Sequence, residues 1–198
     1  MISNINTEMQ KDIINGIIDK LIKLIIYSYN KMIEKKSNEV LLEDQRRNKL
    51  LQEIRKNKSK FKFDYTISQF EPFDEDTGLT LGRTDITVFL DTMSDLGITI
   101  ECKRFLKNEI CNSHVYSEYI GNGINRFKNH KYPLTYGYCG MLSFVENGDF
   151  HKLYTVLSST FKLDDNSSQY MFNYIAKSRE QDISGEYFDV VHIVLNFA

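Results

Sequence analysis

Asp85, Glu101 and Lys103 are the side chains of this 198-residue chain whose types and spacing most directly suggest chemistry. Glu101 and Lys103 lie in Ile98-Thr99-Ile100-Glu101-Cys102-Lys103-Arg104, where Ile98, Ile100 and Cys102 alternate as the apolar face of a strand. Period two sends Thr99, Glu101 and Lys103 to the opposite face. At a rise of about 3.3 Å per residue, Glu101 and Lys103 stand about 6.7 Å apart. Asp85 precedes a second alternating run, Ile86, Val88 and Leu90. The stretch between them, Asp91-Thr92-Met93-Ser94-Asp95-Leu96-Gly97, closes a hairpin; folding about Met93 or Ser94 sets Asp85 opposite Glu101 or Lys103. Two carboxylates held this close repel unless something positive sits between them. A hard divalent cation meets that need, and oxygen-only ligands suit Mg2+ best.

An Asp at one strand and Glu-x-Lys on the next resembles the PD-(D/E)XK nuclease superfamily, the restriction-endonuclease-like fold. Thr84 stands where the Pro in the family's name would be. The resemblance implies that Asp85 and Glu101 ligate Mg2+, with Mn2+ able to substitute. It implies that Lys103 orients or deprotonates the attacking water and steadies the developing phosphorane charge. In that family the first core helix often donates one more acid, for which Glu43 is the choice and Glu39 the alternate. Both continue the apolar stripe of Leu50, Leu51 and Ile54 towards the helix start, at offsets close to whole helical turns. The implied activity is a Mg2+-dependent endonuclease hydrolysing phosphodiester bonds of DNA. The alternatives are a non-catalytic subunit of the same fold that binds a protein partner, or a nuclease acting on RNA or branched DNA.

The elements that must hold these residues are legible from periodicity. Ile13, Ile14, Ile17, Ile18, Leu21, Ile25 and Tyr29 repeat at helical spacing and predict a helix over about 8–35. Ser37 or Asn38 caps a second helix to about Lys56. Phe61, Phe63, Tyr65 and Ile67 alternate as a strand, and Glu71 to Gly78 is a surface loop. Ser113 caps a helix carrying Val115, Tyr119, Ile120, Ile124 and Phe127 on one face, in which Gly121 and Gly123 imply a close backbone approach. A central strand over 136–145, a helix from Asp149 to about Phe161 and a buried strand over 190–195 complete the series. The expected fold class is α/β: an αβββαβ core with a mixed central sheet flanked by helices, plus an extra N-terminal helix. One domain is expected over 1–198, with an accessory helix over 1–36, the nuclease core over 37–145 and a C-terminal helix and strand over 146–198.

With a net charge of −2 the chain is no blanket polycation, so any nucleic-acid contact must come from a local basic patch. Lys107, Arg126, Lys128, His130 and Lys131 form one such group beside the predicted crossover helix; Arg126, Lys107 and Lys131 are its substrate-binding candidates. Arg46, Arg47, Lys49, Arg55, Lys56, Lys58, Lys60 and Lys62 form another, read in part as a solvated helix face and in part as a phosphate tracker. Three cysteines without metal-ligand spacing point to a reduced, cytoplasmic setting, and Cys102 reads as a small hydrophobe. His192, inside an apolar strand, reads as a hydrogen-bonded core residue. No run approaches the length needed to cross a bilayer. A compact nuclease without its own recognition domain is expected to work as a homodimer or with a partner protein, by family analogy as the effector of a bacterial anti-phage defence or restriction system.

Overall fold

The computed structural model describes residues 2–35, 41–69, 83–89, 97–147, 149–164, 168–170 and 173–197. They form two compact units, one of Met1–Ser37 with Lys49–Asp64 and one of Asn38–Asn48 with Tyr65–Ala198.

The first unit is helical. α1 (Ile2–Glu34) buries Ile14, Ile17, Ile18, Leu21, Leu24 and Ile25, the stripe that i, i+3, i+4 spacing lays along one face. α2 (Glu43–Asn57) belongs to this unit from Lys49 on and to the second unit before it; it buries Leu50, Leu51 and Ile54, as their spacing predicts. It starts at Glu43 rather than at the expected Ser37 or Asn38, which lie outside the described residues. Its entry is held by half of a capping box, in which the Leu42 N–H donates to the Gln45 side chain at 3.0 Å. A 3-10 turn (Lys58–Phe61) follows, closed by Lys62 in the left-handed region at φ 48°. Phe61 therefore packs edge-on against Tyr27 of α1, with ring centroids 5.4 Å apart, instead of starting a strand.

The second unit is α/β, built on a mixed seven-stranded sheet in the order β1-β2-β3-β4-β7-β6-β5. β1 is only Thr66–Ser68, far shorter than the expected alternation. β2 (Ile86–Phe89) and β3 (Gly97–Leu106) form the expected antiparallel hairpin, with Ile86 opposite Ile100 and Val88 opposite Ile98. After β3 the chain runs through α3 (Asn112–Val115), a nine-residue π-helical segment (Tyr116–Ile124) and α4 (Asn125–Lys128), then returns as β4 (Tyr138–Glu146) parallel to β3. That crossover is the only kind of connection parallel neighbours allow. α5 (Phe150–Thr160) begins at Asp149, whose carboxylate accepts from the backbone N–H groups of His151 and Lys152. β7 (Tyr187–Phe197) lies parallel to β4, and β6 (Asn173–Gln181) and β5 (Ser168–Tyr170) extend the sheet antiparallel.

Every residue of β4 is buried, which marks it as the centre of the sheet. One sheet face packs Met141, Val145, Val190 and Val194 against Tyr119, Ile124, Leu153 and Leu157. A Cβ at Gly123 would fall 2.5 Å from Met141 Cε, so a larger residue there would have to push the end of that side chain aside. Gly121 meets nothing closer than 3.8 Å, so close approach does not account for it.

His192 sits on the same face, fully buried, between the Tyr119 hydroxyl (2.8 Å to Nδ1) and the Ser178 hydroxyl (2.9 Å to Nε2). Burial pulls its pKa down to about 3. The folded state therefore keeps it neutral while the unfolded chain protonates it near 6.5. Its contribution to stability is full above that value and is lost as pH falls towards 3. His192→Gln is expected to flatten the acid limb of a melting-temperature profile between pH 6.5 and 3, whatever its effect at neutral pH. An unchanged acid slope would contradict the assignment.

Candidate active site

β2 pairs with β3 only as far as Ile86–Ile100. Past Ile100, β3 continues to Leu106 with β4 on its other side. The backbone N–H groups of Cys102, Arg104 and Leu106 share one edge, because alternate residues point their amides the same way. Among the described residues, three carboxylates meet them. Asp85 Oδ2 accepts from Cys102 at 2.8 Å, Glu43 Oε2 from Arg104 at 2.8 Å and Glu109 Oε2 from Leu106 at 2.7 Å. Charge-assisted bonds of this kind are roughly twice as strong as neutral ones. Acid side chains thus stand where the next strand's carbonyls would be.

Glu101 and Lys103 occupy the opposite register. Glu101 pairs across the sheet with Met141 and Lys103 with Ser143, so both lie on the face covered by the π segment. Neither is exposed in the manner of an ordinary hairpin surface: Glu101 is 1% and Lys103 7% accessible. Lys103 Nζ lies 2.8 Å from Glu101 Oε1, and Arg126 Nη1 reaches the same oxygen at 3.1 Å. Glu101 Oε2 is buried and has no hydrogen-bond partner among the described residues. Burial and the neighbouring Asp85 charge push the Glu101 carboxyl up to about 7, against the pull of Lys103. Burial likewise raises Glu43, with Lys103 opposing and Asp85 reinforcing the shift.

Of the three residues, Lys103 is paired with Glu101, and the Asp85 charge acts on the Glu101 carboxyl. Glu43 reaches the Asp85 end of β3, but its carboxylate is committed to the Arg104 amide. Among the described residues no group of three or more His, Cys, Asp or Glu side chains is placed to hold a metal ion, so Asp85, Glu101 and Glu43 do not form a single three-acid cluster. Glu39, the loop 71–78 and the turn 91–96 lie outside the described residues. Of the three cationic substrate candidates, Arg126 is brought to Glu101. Lys131 is exposed just beyond α4, its N–H bonded to the Arg126 carbonyl at 2.8 Å. Lys107 is exposed in the turn after β3, four residues past Lys103 and so about 13 Å along the strand direction.

Two participants escape sequence reasoning. Arg47, one of a run read in part as a solvated helix face and in part as a phosphate tracker, is buried with its guanidinium on Asp85 and a second bond to Asp44 at 2.7 Å. Tyr132 accepts from Arg126 and donates to the Arg83 carbonyl at 2.8 Å, tying the α4 end to the residues just before Asp85. Burial and the Glu101 charge push the Tyr132 phenol up to about 12. The Arg126 guanidinium also lies 5.3 Å from the Tyr132 ring centroid. A charge count cannot separate a buried cation from an exposed one, and the only sequence signal for Arg47 is its i+4 relation to Glu43.

No family model, curated protein or solved structure matches the chain.

A Mg2+ ion typically uses one or two protein carboxylates and completes its shell with water and substrate phosphate. Asp85 and Glu101 satisfy that minimum. The unpartnered Glu101 Oε2 is the kind of buried anionic atom that a cation would neutralise. Asp85 has both oxygens engaged, by the Cys102 amide and the Arg47 guanidinium, and Glu101 Oε2 is the carboxylate atom of the pair without a partner among the described residues. Among the described residues no helix is long and apolar enough to cross a membrane.

Proposed function

We propose that the chain is a Mg2+-dependent phosphodiester hydrolase of the restriction-endonuclease-like type, an endonuclease acting on DNA. The observation that carries this reading is the state of Glu101: a buried carboxyl with one orphan oxygen, raised to about 7 beside a second acid, with a lysine 2.8 Å away. A buried carboxylate oxygen without a donor calls for an explanation even where its twin is paired, and such perturbed carboxyls concentrate at functional sites. The element order from α2 through β1, β2, β3, the crossover helix and β4 supports the reading, since an αβββαβ series is what the resemblance implies.

Bound Mg2+ would polarise the scissile phosphate and lower the pKa of attached water. Asp85 and Glu101 would hold the ion, Asp85 being fixed in place by the Cys102 amide and Arg47. The Lys103 ammonium, a compact cation anchored on Glu101, would orient the attacking water and offset charge on the phosphate oxygens. Arg126, 38% exposed, would grip a non-bridging oxygen from outside while Tyr132 keeps its guanidinium in position. Reduced cytoplasmic conditions, a homodimer mate or partner protein, and a role in anti-phage defence accompany this reading as its expected setting.

Incubation of linear and supercoiled DNA with the protein should give cleavage in Mg2+ or Mn2+ and none with chelator. No cleavage of DNA, RNA or branched substrates would remove the hydrolase reading and favour a non-catalytic subunit of the same fold. Metal binding has its own readout. The raised Glu101 value means that the stability belonging to the protonated acid is complete below about 4.5 and lost as pH rises through about 7. A cation competes with that proton, so the rise in melting temperature on adding Mg2+ or Mn2+ should be larger at about pH 8 than at about pH 6 and should disappear in Glu101→Gln. An equal rise at both pH values would count against Glu101 as a ligand.

A further inference from the structure

One segment of the helical unit is strongly basic. Between Lys49 and Lys62 stand six Lys or Arg residues and a single acid, in a protein whose net charge is −2. That acid, Glu53, is already engaged by Lys35 at 2.7 Å and Lys56 at 3.0 Å, and these bonds hold its carboxyl below the usual range. The cations beyond it gather on the 3-10 turn. Lys60 and Lys62 are exposed and Lys58 is half-buried. Neither Lys58 nor Lys62 meets an acidic side chain among the described residues. Lys62 keeps the left-handed backbone that bulky residues avoid, its N–H bonded to the carbonyls of Lys58 and Ser59. Lys60 donates to the Tyr27 hydroxyl at 2.9 Å and lies 5.1 Å from that ring's centroid, while Lys31 lies 5.8 Å from the same centroid. Of these two ammonium groups Lys31 is ion-paired with Glu34 at 2.6 Å, so Lys60, with Lys58 and Lys62, supplies the charge of the turn.

We propose that this face of the helical unit binds the phosphate backbone of nucleic acid without reading its sequence. Lysines act as point charges towards phosphates and carry no base information of their own. An anionic membrane would suit the same charges, but interfacial helices need an apolar face to insert. Here Leu50, Leu51, Ile54 and Phe63 are buried and Phe61 packs on Tyr27, so the residues between the lysines on the outer surface are Gln52 and Ser59. A hydrophilic polyanion is what remains. All of these cations belong to the helical unit and none to the Asp85–Glu101 site, so the binding face has only its ligand, DNA, in common with the nuclease reading.

The test uses the full chain, a fluorescently labelled DNA duplex of arbitrary sequence and excess chelator, so that cleavage does not enter. Wild type should bind with an affinity that falls steeply as salt rises. The triple variant Lys58→Gln, Lys60→Gln, Lys62→Gln should bind ~10-fold or more weakly at fixed salt, its log–log salt slope reduced by about 0.9 for each phosphate no longer neutralised. The triple Arg variant at the same positions should bind like wild type, at an unchanged melting temperature. Binding in chelator together with no cleavage by wild type when Mg2+ is supplied would end the nuclease reading and leave this one standing. Absence of wild-type DNA binding, an unaltered salt slope in the Gln variant, weakened binding by the Arg variant, or adsorption to phosphatidylserine vesicles in place of DNA would each overturn the proposal.

Discussion

Glu101→Gln and Lys103→Met are each expected to reduce Mg2+-dependent DNA cleavage by ~10²–10³-fold or more, the usual effect of removing a group that meets developing charge in a transition state. Gln at 101 still offers an oxygen to Lys103 and Arg126, so the surroundings stay occupied while the negative charge disappears. Met at 103 preserves the buried length of the lysine and deletes only the ammonium. Asp85 is a different case. Its Oδ2 accepts the Cys102 amide and its Oδ1 the Arg47 guanidinium, so Asp85→Ala leaves a strand amide and a buried cation without their acceptor. That variant should lose activity and also melt earlier, by the ~1–3 kcal/mol that an orphaned buried donor costs. Asp85→Asn, which keeps an acceptor oxygen, should lose activity with a smaller thermal penalty. Single-turnover cleavage beside thermal melts separates these outcomes, and full activity in any of the three positions would reject the assignment.

The largest purely structural effect is expected at Arg46. Its guanidinium makes a two-pronged bond to Glu146 at the end of β4, at 2.5 and 2.6 Å, and lies 3.8 Å from the Phe197 ring centroid. The two side chains are 5% and 1% exposed, so neither charge has water to fall back on. Arg46→Met alone should cost ~3–5 kcal/mol, because it strands a buried carboxylate. Arg46→Met combined with Glu146→Leu should recover most of that, since replacing both members of a buried pair with apolar groups is often close to neutral. Denaturant unfolding of the two single variants and the double variant closes the cycle. A double variant no more stable than Arg46→Met would show that the Phe197 stacking, rather than the ion pair, carries the energy.

The hairpin is readable in the sequence because its apolar residues alternate on both strands and its turn is short, which leaves few registers open. The same alternation misleads at Phe61 to Ile67. There the backbone turns through a 3-10 segment, and the left-handed Lys62 ends the extended pattern before it starts; nothing in a lysine announces that conformation. β6 escapes a search for apolar runs because its inward residues include Ala176 and Ser178, too small to register as one. The helix before β4 is expected from its apolar stripe, but its π-helical winding is not, since the buried Tyr119, Ile120, Gly123 and Ile124 keep spacings that an ordinary α-helix also shows. At the site, the acid–acid–lysine grouping follows from strand period alone. The partners that complete it, Arg47 and Tyr132, come from elements distant in sequence, and only tertiary structure brings them in.

The carboxylate-lined edge of β3 gives Asp85 two employments. As long as β2 stops at Ile86, some acceptor must meet the Cys102 amide, and this acid is the one that does. On the proposed reading, a homologue without the activity would still need Asp85 for its architecture, while Glu101 and Lys103, which hold no backbone group, could be lost together. Presence of the aspartate is therefore poor testimony of an active enzyme, and erosion of the Glu-x-Lys pair is the mark by which a silent copy would be recognised.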